Sequence, residues 1–302
     1  MQASVIRAGE SGNPGIRESG RTELPVFVFG GQSNMVGLGI ASELSPDYWV
    51  QPGIIFYYDS VPFLRPYEAS KVPYIGPEVS AGKALSANIS AVPALIMVKF
   101  AVGGSNLAKE WNPTYSGSYY ATLRDRVKNT LLEAPNLSPN TVRVKAFFWM
   151  QGESDATDYH MATDYETNLR NLIATVRKDF NDPALPFIMG EMTHIDHLPP
   201  QFANFLPYGD IVLQAQKNVA ASVPNVRLFK TDDISVGKGG LHYSTLGLIE
   251  LGKRFAAAYS SLGVTRLPRR RFTRPLVSAN PRPHTECCAD TAARIRAGHG
   301  RR

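Results

Sequence analysis

Residues 26–35 of this 302-residue chain read Val-Phe-Val-Phe-Gly-Gly-Gln-Ser-Asn-Met. The first four are β-branched or aromatic, which predicts a strand that is covered on both faces, as in a parallel sheet. The two glycines allow a sharp turn or a close backbone approach to a ligand. Ser33 would then follow the carboxyl end of a parallel strand, where open α/β sheets bind ligands, so it is a candidate nucleophile. Alternatively, Gln-Ser-Asn supplies only turn and helix-capping groups.

Five further strands alternate with five helices along the chain. The strand candidates are the apolar runs at 54–58, 94–101, 142–150, 186–192 and 226–229, and the helix candidates cover 78–90, 119–132, 162–180, 214–223 and 244–262. This alternation predicts right-handed βαβ crossovers and a mostly parallel sheet. The expected fold is α/β, a three-layer α/β/α doubly wound domain of the flavodoxin-like kind. A Pro- and Tyr-rich loop through Pro77 is long enough to be a substrate-binding insertion.

Basic charge is concentrated at the C-terminal end. Residues 261–302 contain ten arginines and two acids, whereas the other 260 residues carry 22 basic and 24 acidic groups. We therefore expect a flexible arm over residues 1–22, a nearly neutral folded domain over 23–262 and a disordered Arg/Pro-rich tail over 263–302. The tail could contact nucleic acid or another polyanion, but its composition, with Phe272 as the one aromatic, favours plain disorder.

The sequence shows neither a membrane span nor a secretory signal. No window approaches the roughly 18 continuous apolar residues of a spanning helix, and residues 1–21 lack an apolar core. A cytoplasmic location is therefore expected, unless a leader has been removed. Cys287 and Cys288 are adjacent and offer neither a disulfide framework nor a metal-binding spacing, and no cofactor is expected.

Three of the predicted strands end in polar turns that contain glycine. The turns follow Phe29, Ala101 and Met150. In a parallel sheet they fall on one edge, so that Ser33, Gly104 and Gln151 can converge. A serine nucleophile needs a base, and its tetrahedral oxyanion needs preorganised donors. Backbone N–H groups at Ser33 and at the glycine turn, with the Gln151 amide, would supply those donors.

The best candidate for the base is His242. It lies in the Gly-rich stretch Gly-Gly-Leu-His-Tyr-Ser directly before the closing helix, and such loops often carry catalytic groups. The alternative is a loop or capping histidine. Glu191, His194 and His197 have a three-residue spacing that could bind a metal, but they lack the His-Glu-x-x-His pattern, so no metal site is expected.

Four sequence blocks occur in the order found in a known hydrolase superfamily. They are Gly-Gln-Ser-Asn-Met at 31–35, Gly-Gly-Ser at 103–105 with Trp111 nearby, Trp-x-Gln-Gly-Glu-Ser at 149–154 and Gly-Leu-His-Tyr-Ser at 240–244. Together they resemble the SGNH hydrolase superfamily, and within it the sialate O-acetylesterase-like group, carbohydrate esterase family 6. A G-x-S-x-G elbow is absent because Met35 occupies the second glycine position, which disfavours an α/β-hydrolase fold.

The resemblance implies a serine esterase that removes acetyl or other small acyl groups from carbohydrate through an acyl-enzyme. Ser33 matches the nucleophile and His242 the general base. The resemblance also implies an oxyanion hole with three donors: Ser33, Gly104 and Gln151. Trp111 offers a face on which a sugar could stack, although it could instead be a core residue. Trp111 and Asn34 are the residues expected to contact the substrate, an acetylated carbohydrate or another small ester.

One departure from the family concerns the acid that orients the histidine. Members carry Asp-x-x-His in the last block, whereas Gly239 occupies the Asp position here. In serine proteases the loss of that carboxylate costs on the order of 10⁴ in rate. Glu153 is the expected substitute, with Asp232 and Asp233 as reserves, although Glu153 could instead cap a helix or pair with an arginine. The alternative function is therefore a non-catalytic carbohydrate-binding relative.

Overall fold

The computed structural model describes residues 23–58, 61–69, 72–88, 94–134, 141–194, 196, 198–200 and 204–263. The expected N-terminal arm and the tail from residue 264 onward lie outside the described residues. The suggested contact of that tail with a polyanion stays a prediction. The division into an arm, a folded domain over 23–262 and a tail likewise stays a prediction.

The described chain contains nine strands and six α-helices. In order they are β1 (Glu23–Gly31), α1 (Ser33–Val36), β2 (Gly39–Ile40), β3 (Gln51–Tyr58), β4 (Val61–Tyr67), β5 (Tyr74–Ile75), α2 (Glu78–Asn88), β6 (Leu95–Ala101), α3 (Tyr119–Glu133), β7 (Thr141–Met150), α4 (Tyr159–Asp179), β8 (Phe187–Gly190), α5 (Gly209–Ser222), β9 (Val226–Phe229) and α6 (Thr245–Ser260). None of these helices is both long and apolar enough to cross a bilayer.

Seven strands form one sheet in the order β4-β3-β6-β1-β7-β8-β9. Six of them run parallel, and β4 pairs antiparallel with β3 at the edge. The prediction of a mostly parallel, doubly wound α/β domain is confirmed. Counted along the chain, the parallel strands lie in the order 2-3-1-4-5-6, whereas flavodoxin has 2-1-3-4-5. Strand β1 is therefore central, and the chain crosses to its other side after β6.

The side chains of β1 join both halves of the core, because successive residues of a strand point to opposite faces. Val26 and Val28 pack in the cluster under α3, α4 and α5. Phe27 and Phe29 pack in the cluster under α2 and α6. All four side chains are fully buried. The continuous apolar run in the sequence thus corresponds to a strand covered on both faces.

The three longest helices begin at polar caps. Ser118, Asp158 and Ser244 each accept a hydrogen bond from a backbone N–H of the first turn, before α3, α4 and α6 respectively. Such caps satisfy donors that have no partner inside the helix. The caps explain why α4 begins at Tyr159, three residues before the start that its apolar periodicity predicts.

The region between β3 and α2 differs from the sequence prediction of a plain loop. It contains the edge strand β4 and the short strand β5, which pairs with β2. Pro62 and Pro66 lie within β4. Because proline cannot donate to a strand ladder, it is confined to edge strands such as this one. Because prolines are depleted in strands, the same two residues weaken the sequence pattern that would predict β4.

Helices α2 and α6 pack so closely at Gly252 that a larger residue would not fit. A Cβ there would lie 2.1 Å from Pro77 O and 2.2 Å from Ser80 Oγ. We expect Gly252→Ala to lower the free energy of unfolding by about 1–3 kcal/mol, because the helices must separate. Urea denaturation measures the change. Gly209→Ala in α5 is the control, since a Cβ at Gly209 would lie 3.6 Å from Met192 Cε, an ordinary van der Waals distance. Equal stability of the two variants would contradict the close contact at Gly252.

Candidate active site

Ser33 lies just after the carboxyl end of β1, the strand at which the order of the sheet strands reverses. Gln32 N donates to Met150 O at 2.9 Å, so β1 stays paired with β7 up to the residue before Ser33. Gly31 has φ +147°, and a Cβ at this position would lie 2.1 Å from Met150 O. Only glycine fits this close approach. The turn therefore places Ser33, which is partly exposed, at the carboxyl end of the central strand.

The structure places His242 beside Ser33. The His242 Nε2 atom lies 3.0 Å from Ser33 Oγ, which is hydrogen-bond distance. Burial lowers the pKa of the imidazole below its ordinary value, and the negative charge of Glu153 opposes that shift. The imidazole is therefore neutral at neutral pH. In that state Nε2 can accept the proton of the serine hydroxyl.

The Asn34 side chain fixes the histidine loop to the serine turn. Its Nδ2 donates to Leu241 O at 3.1 Å, and its Oδ1 accepts from Tyr243 N at 3.2 Å. These bonds hold the residues on either side of His242. Because Asn34 is only 1% exposed, the expectation that it contacts substrate is corrected: its amide serves the protein interior.

The Glu153 carboxylate is buried beneath this arrangement. Its Oε1 accepts from Asn34 Nδ2 at 3.0 Å and from Thr193 N and Oγ1 at 3.2 and 3.1 Å. Its Oε2 is buried and has no hydrogen-bond partner within the described residues. Glu153 and His242 form no hydrogen bond in this structure, but the Glu153 charge acts on the pKa of His242. One carboxylate oxygen is thus held by the protein, and the other remains available.

The two reserve acids are at the surface. Asp233 binds the Arg254 guanidinium at 2.5 and 2.8 Å, and Asp232 is exposed. Gly239, at the family's Asp position, is exposed, and no atom lies within 4 Å of where its Cβ would be. Among the acids that the sequence proposes, Glu153 is the one whose charge acts on the pKa of His242.

The glycine loop after β6 lies next to the serine. A Cβ at Gly103 would be 3.9 Å from Ser33 Cβ. Gly104 is exposed and has φ +68°, a left-handed conformation that favours glycine. Among the described residues, no acceptor binds the backbone N–H groups of Ser33 or Gly104. Both groups can therefore donate to an oxyanion.

Gln151 does not offer a third donor to this site. Its side chain is fully buried, and Nε2 donates to Gln32 Oε1 at 3.1 Å, Ser105 O at 3.1 Å and Asp155 Oδ2 at 2.6 Å. An amide nitrogen carries two hydrogens, so three acceptors leave no free N–H. The prediction of Gln151 in the oxyanion hole is corrected on this ground.

Asp155 holds the segment that follows the glycine loop. Its carboxylate accepts from Leu107 N at 2.8 Å and Ala108 N at 3.0 Å, as well as from Gln151. Burial raises the pKa of Asp155 to about 6, although these hydrogen bonds oppose the shift. Because Gln151 also binds Ser105 O, the two side chains together fix the loop that carries Gly104.

Trp111 is likewise a structural residue in this fold. It is fully buried, its Nε1 donates to Ser105 Oγ at 2.7 Å, and its ring packs edge-on against Trp149 with centroids 5.1 Å apart. A sugar cannot stack on a ring that is covered. The expectation that Trp111 binds substrate is therefore wrong. Through Ser105 the residue supports the glycine loop after β6, which carries Gly104.

The Glu191 carboxylate binds other side chains of the protein and does not belong to a cluster of potential metal ligands among the described residues. It binds His194 Nε2 at 2.9 Å, and Lys217 Nζ lies 4.0 Å away. His197 lies outside the described residues. In the part of the chain that the structure covers, no cluster of three or more potential ligands could hold a metal ion.

Two residues that the sequence did not single out complete the site. Thr193 N donates to Glu153, and the single hydrogen of the Thr193 hydroxyl can go either to Glu153 Oε1 at 3.1 Å or to Leu241 O at 2.9 Å. Gln32 Oε1 accepts from Gly152 N and Ser154 N, in addition to Gln151. Thr193 lies just beyond β8, so the rule that groups strand ends at one edge would have found it, had it been applied to that strand.

Comparison with known proteins identifies the family and supports the fold. Residues 23–261 match the model of the family described as carbohydrate esterase, sialic acid-specific acetylesterase. A probable carbohydrate esterase of Arabidopsis thaliana is 27% identical over 255 residues, covering 78% of this chain and 90% of the plant protein. An Arabidopsis thaliana structure superposes with a TM-score of 0.64 at 25% identity, covering 78% of this chain and 98% of that one. A carbohydrate acetylesterase structure from Xanthomonas citri superposes with a TM-score of 0.55 at 18% identity, covering 77% of this chain and 55% of that one. At this identity the likeness shows the fold alone.

We expect Asp155→Asn to destabilise the domain and to loosen the loop after β6 that carries Gly104. The amide can accept at one oxygen only, so at least one of the donors that Asp155 binds loses its acceptor, at a cost of about 1–3 kcal/mol. Urea denaturation at pH 8, where Asp155 is ionised, measures this cost. Asp164→Asn, on an exposed position of α4, is the matched control. If both variants unfold at the same urea concentration, Asp155 does not hold the loop.

Proposed function

Because the chain belongs to the sialic acid-specific acetylesterase family of carbohydrate esterases, we propose that it removes O-acetyl groups from carbohydrate through a covalent acyl-enzyme. The observation that carries the proposal is the distance of 3.0 Å between Ser33 Oγ and His242 Nε2. A serine hydroxyl is a weak nucleophile unless a base lies within reach of its proton. The neutral imidazole of His242 supplies that base.

The reaction begins when Ser33 Oγ attacks the acetyl carbonyl carbon and its proton passes to His242 Nε2. The carbonyl oxygen becomes an oxyanion, and the N–H groups of Ser33 and Gly104 donate to it. Such preorganised donors stabilise charge that develops in the transition state. The intermediate then collapses, the C–O bond to the sugar breaks, and His242 returns the proton to the sugar oxygen. Acetate remains esterified to Ser33.

Water completes the cycle by the same steps. His242 accepts a proton from a water molecule, whose oxygen attacks the acetyl-Ser33 carbonyl. A second oxyanion forms against the same two N–H groups. When it collapses, Ser33 Oγ recovers the proton from His242 and acetate leaves. The sum is one ester and one water converted to one alcohol and acetic acid.

Glu153 stabilises the imidazolium that forms in both half-reactions. Its Oε2 is buried without a partner, and its charge favours the protonated form of His242. In apo structures catalytic hydrogen bonds are often long and tighten only with substrate. We therefore assign Glu153 the part that an aspartate at position 239 plays in other members of the family.

The second candidate function, a carbohydrate-binding relative without esterase activity, draws on Gly239 and on the missing hydrogen bond between Glu153 and His242. The two candidates differ in one property that is simple to measure. An esterase reacts with a fluorophosphonate at Ser33, whereas a protein that only binds sugar does not. Acetate release from an acetylated carbohydrate separates them in the same way.

We expect Ser33→Ala to lower kcat for an aryl acetate by roughly three orders of magnitude or more, because the nucleophile is lost. Ester hydrolysis followed at 405 nm with 4-nitrophenyl acetate measures the rate. Ser42→Ala, on an exposed position of the short 3-10 helix Ala41–Glu43, should keep the wild-type rate. A Ser33→Ala variant that is folded and fully active would exclude the acyl-enzyme mechanism.

The pH dependence tests the assignment of Glu153. Because burial lowers the pKa of His242, the acidic limb of kcat/KM should lie below the ordinary histidine pKa of about 6.5. Glu153 raises that pKa, so Glu153→Gln should move the limb to still lower pH and also reduce kcat. Asp233→Asn is the control and should leave the limb in place. An unmoved limb in Glu153→Gln would remove Glu153 from the mechanism.

A further inference from the structure

A buried ion pair lies on the other side of the serine turn. Lys99 is in β6, where it is paired with Phe29 of β1, and it is only 2% exposed. Its Nζ lies 2.6 Å from Glu78 Oε2, and Glu78 is equally buried. Burying two charges costs more than their attraction usually returns. A buried ion pair between strand β6 and the start of helix α2 therefore calls for an explanation beyond stability.

The third partner in this group is the carbonyl oxygen of Val36, which lies 2.7 Å from Lys99 Nζ. Val36 is the last residue of α1, the four-residue helix that begins with Ser33. One helical turn is not stable by itself, because nucleation costs more than its few hydrogen bonds return. A cation at the C-terminal end binds a carbonyl that has no partner inside the helix and interacts favourably with the helix dipole.

The ion pair also holds the segment around Gly76, which packs against the residue that follows α1. Glu78 Oε1 accepts from Gly76 N at 3.0 Å. Gly37, directly after α1, has φ +86°, and a Cβ there would lie 2.2 Å from Gly76 Cα. A Cβ at Gly76 would in turn lie 2.7 Å from Lys99 Nζ. The packing at this point leaves no room for the turn to shift.

We propose that Lys99 and Glu78 are positioning residues that hold the α1 turn so that Ser33 Oγ stays aligned with His242. The proposal rests on the function assigned to Ser33 above. Neither side chain touches the reacting atoms; both act through Val36 and the backbone on which Ser33 lies. Loss of the pair should therefore slow the attack by Ser33 and leave substrate binding almost unchanged.

A double variant separates alignment from stability. Lys99→Met alone would leave the Glu78 carboxylate buried without its cation, which is strongly destabilising. Lys99→Met/Glu78→Met removes both charges at similar volume, and such replacements are often neutral for stability or better. Because the Val36 carbonyl loses its partner, we expect kcat to fall by about 10- to 100-fold, in the range that a small displacement of reacting groups causes.

The measurements are the thermal unfolding midpoint, kcat and KM for an aryl acetate, and the rate at which a fluorophosphonate labels Ser33. We expect an unfolding midpoint near that of the wild type, an unchanged KM and a labelling rate that falls together with kcat. Glu166→Gln/Arg170→Gln, which removes an ion pair of 2.7 Å on α4, is the control and should change none of these. A folded double variant with wild-type kcat and labelling rate would overturn the proposal.

If the double variant does not fold, Glu78→Gln decides the question. The amide keeps the volume of Glu78 but has one acceptor oxygen for Gly76 N and Lys99 Nζ, and it leaves the buried ammonium without its counter-ion. The hold of Lys99 on Val36 O is therefore weakened, and we expect a smaller fall in kcat at constant KM. A folded Glu78→Gln with wild-type kcat and labelling rate would again overturn the proposal. Failure of the underlying function is distinguishable, because then the wild-type protein itself would not be labelled at Ser33.

Discussion

The site depends on one buried amide, the side chain of Asn34. It binds the Glu153 carboxylate, Thr193 Oγ1 and the backbone on both sides of His242. These partners are 119 to 209 positions away along the chain. Contacts over such distances form only after the strands that carry them have paired. The alignment of Ser33 with His242 is therefore a property of the completed sheet, not of any local segment.

Glu78, Glu153 and Asp155 are buried carboxylates, and the fold stabilises each of them differently. Glu78 has a lysine, and Asp155 has two backbone N–H groups and one amide. Glu153 has neutral donors on one oxygen only, while the other is buried without a partner among the described residues. An unsatisfied charged oxygen is the most costly arrangement of the three. The fold accepts that cost next to His242, where a developing imidazolium would compensate it.

The sequence was sufficient for the architecture and for the reacting pair, but not for the roles of their neighbours. Apolar runs predict the six parallel strands because burial on both faces leaves a strong pattern. The Gly-rich loop before α6 indicates His242 as the candidate base, and the strand-end rule groups the turns that carry Ser33, Gly104 and Gln151. The same rule cannot say which way a polar side chain points from a turn. Asn34, Gln151 and Trp111 are all buried, and their polar groups bind other groups of the protein. Composition cannot distinguish a buried hydrogen-bonding amide from one that faces a ligand, since both need the same donors.

The glycine at position 239 is understandable from the same geometry. An aspartate three residues before the histidine has two tasks, to orient the ring and to stabilise its cation. Here the orientation is provided through the backbone, because Asn34 binds Leu241 O and Tyr243 N on either side of His242. The electrostatic task remains, and Glu153 lies where its charge acts on the imidazole. Since Asn34 also binds Glu153, a single side chain couples the two tasks. Under the proposed mechanism the electrostatic task falls to Glu153, so position 239 can be a glycine at the exposed turn.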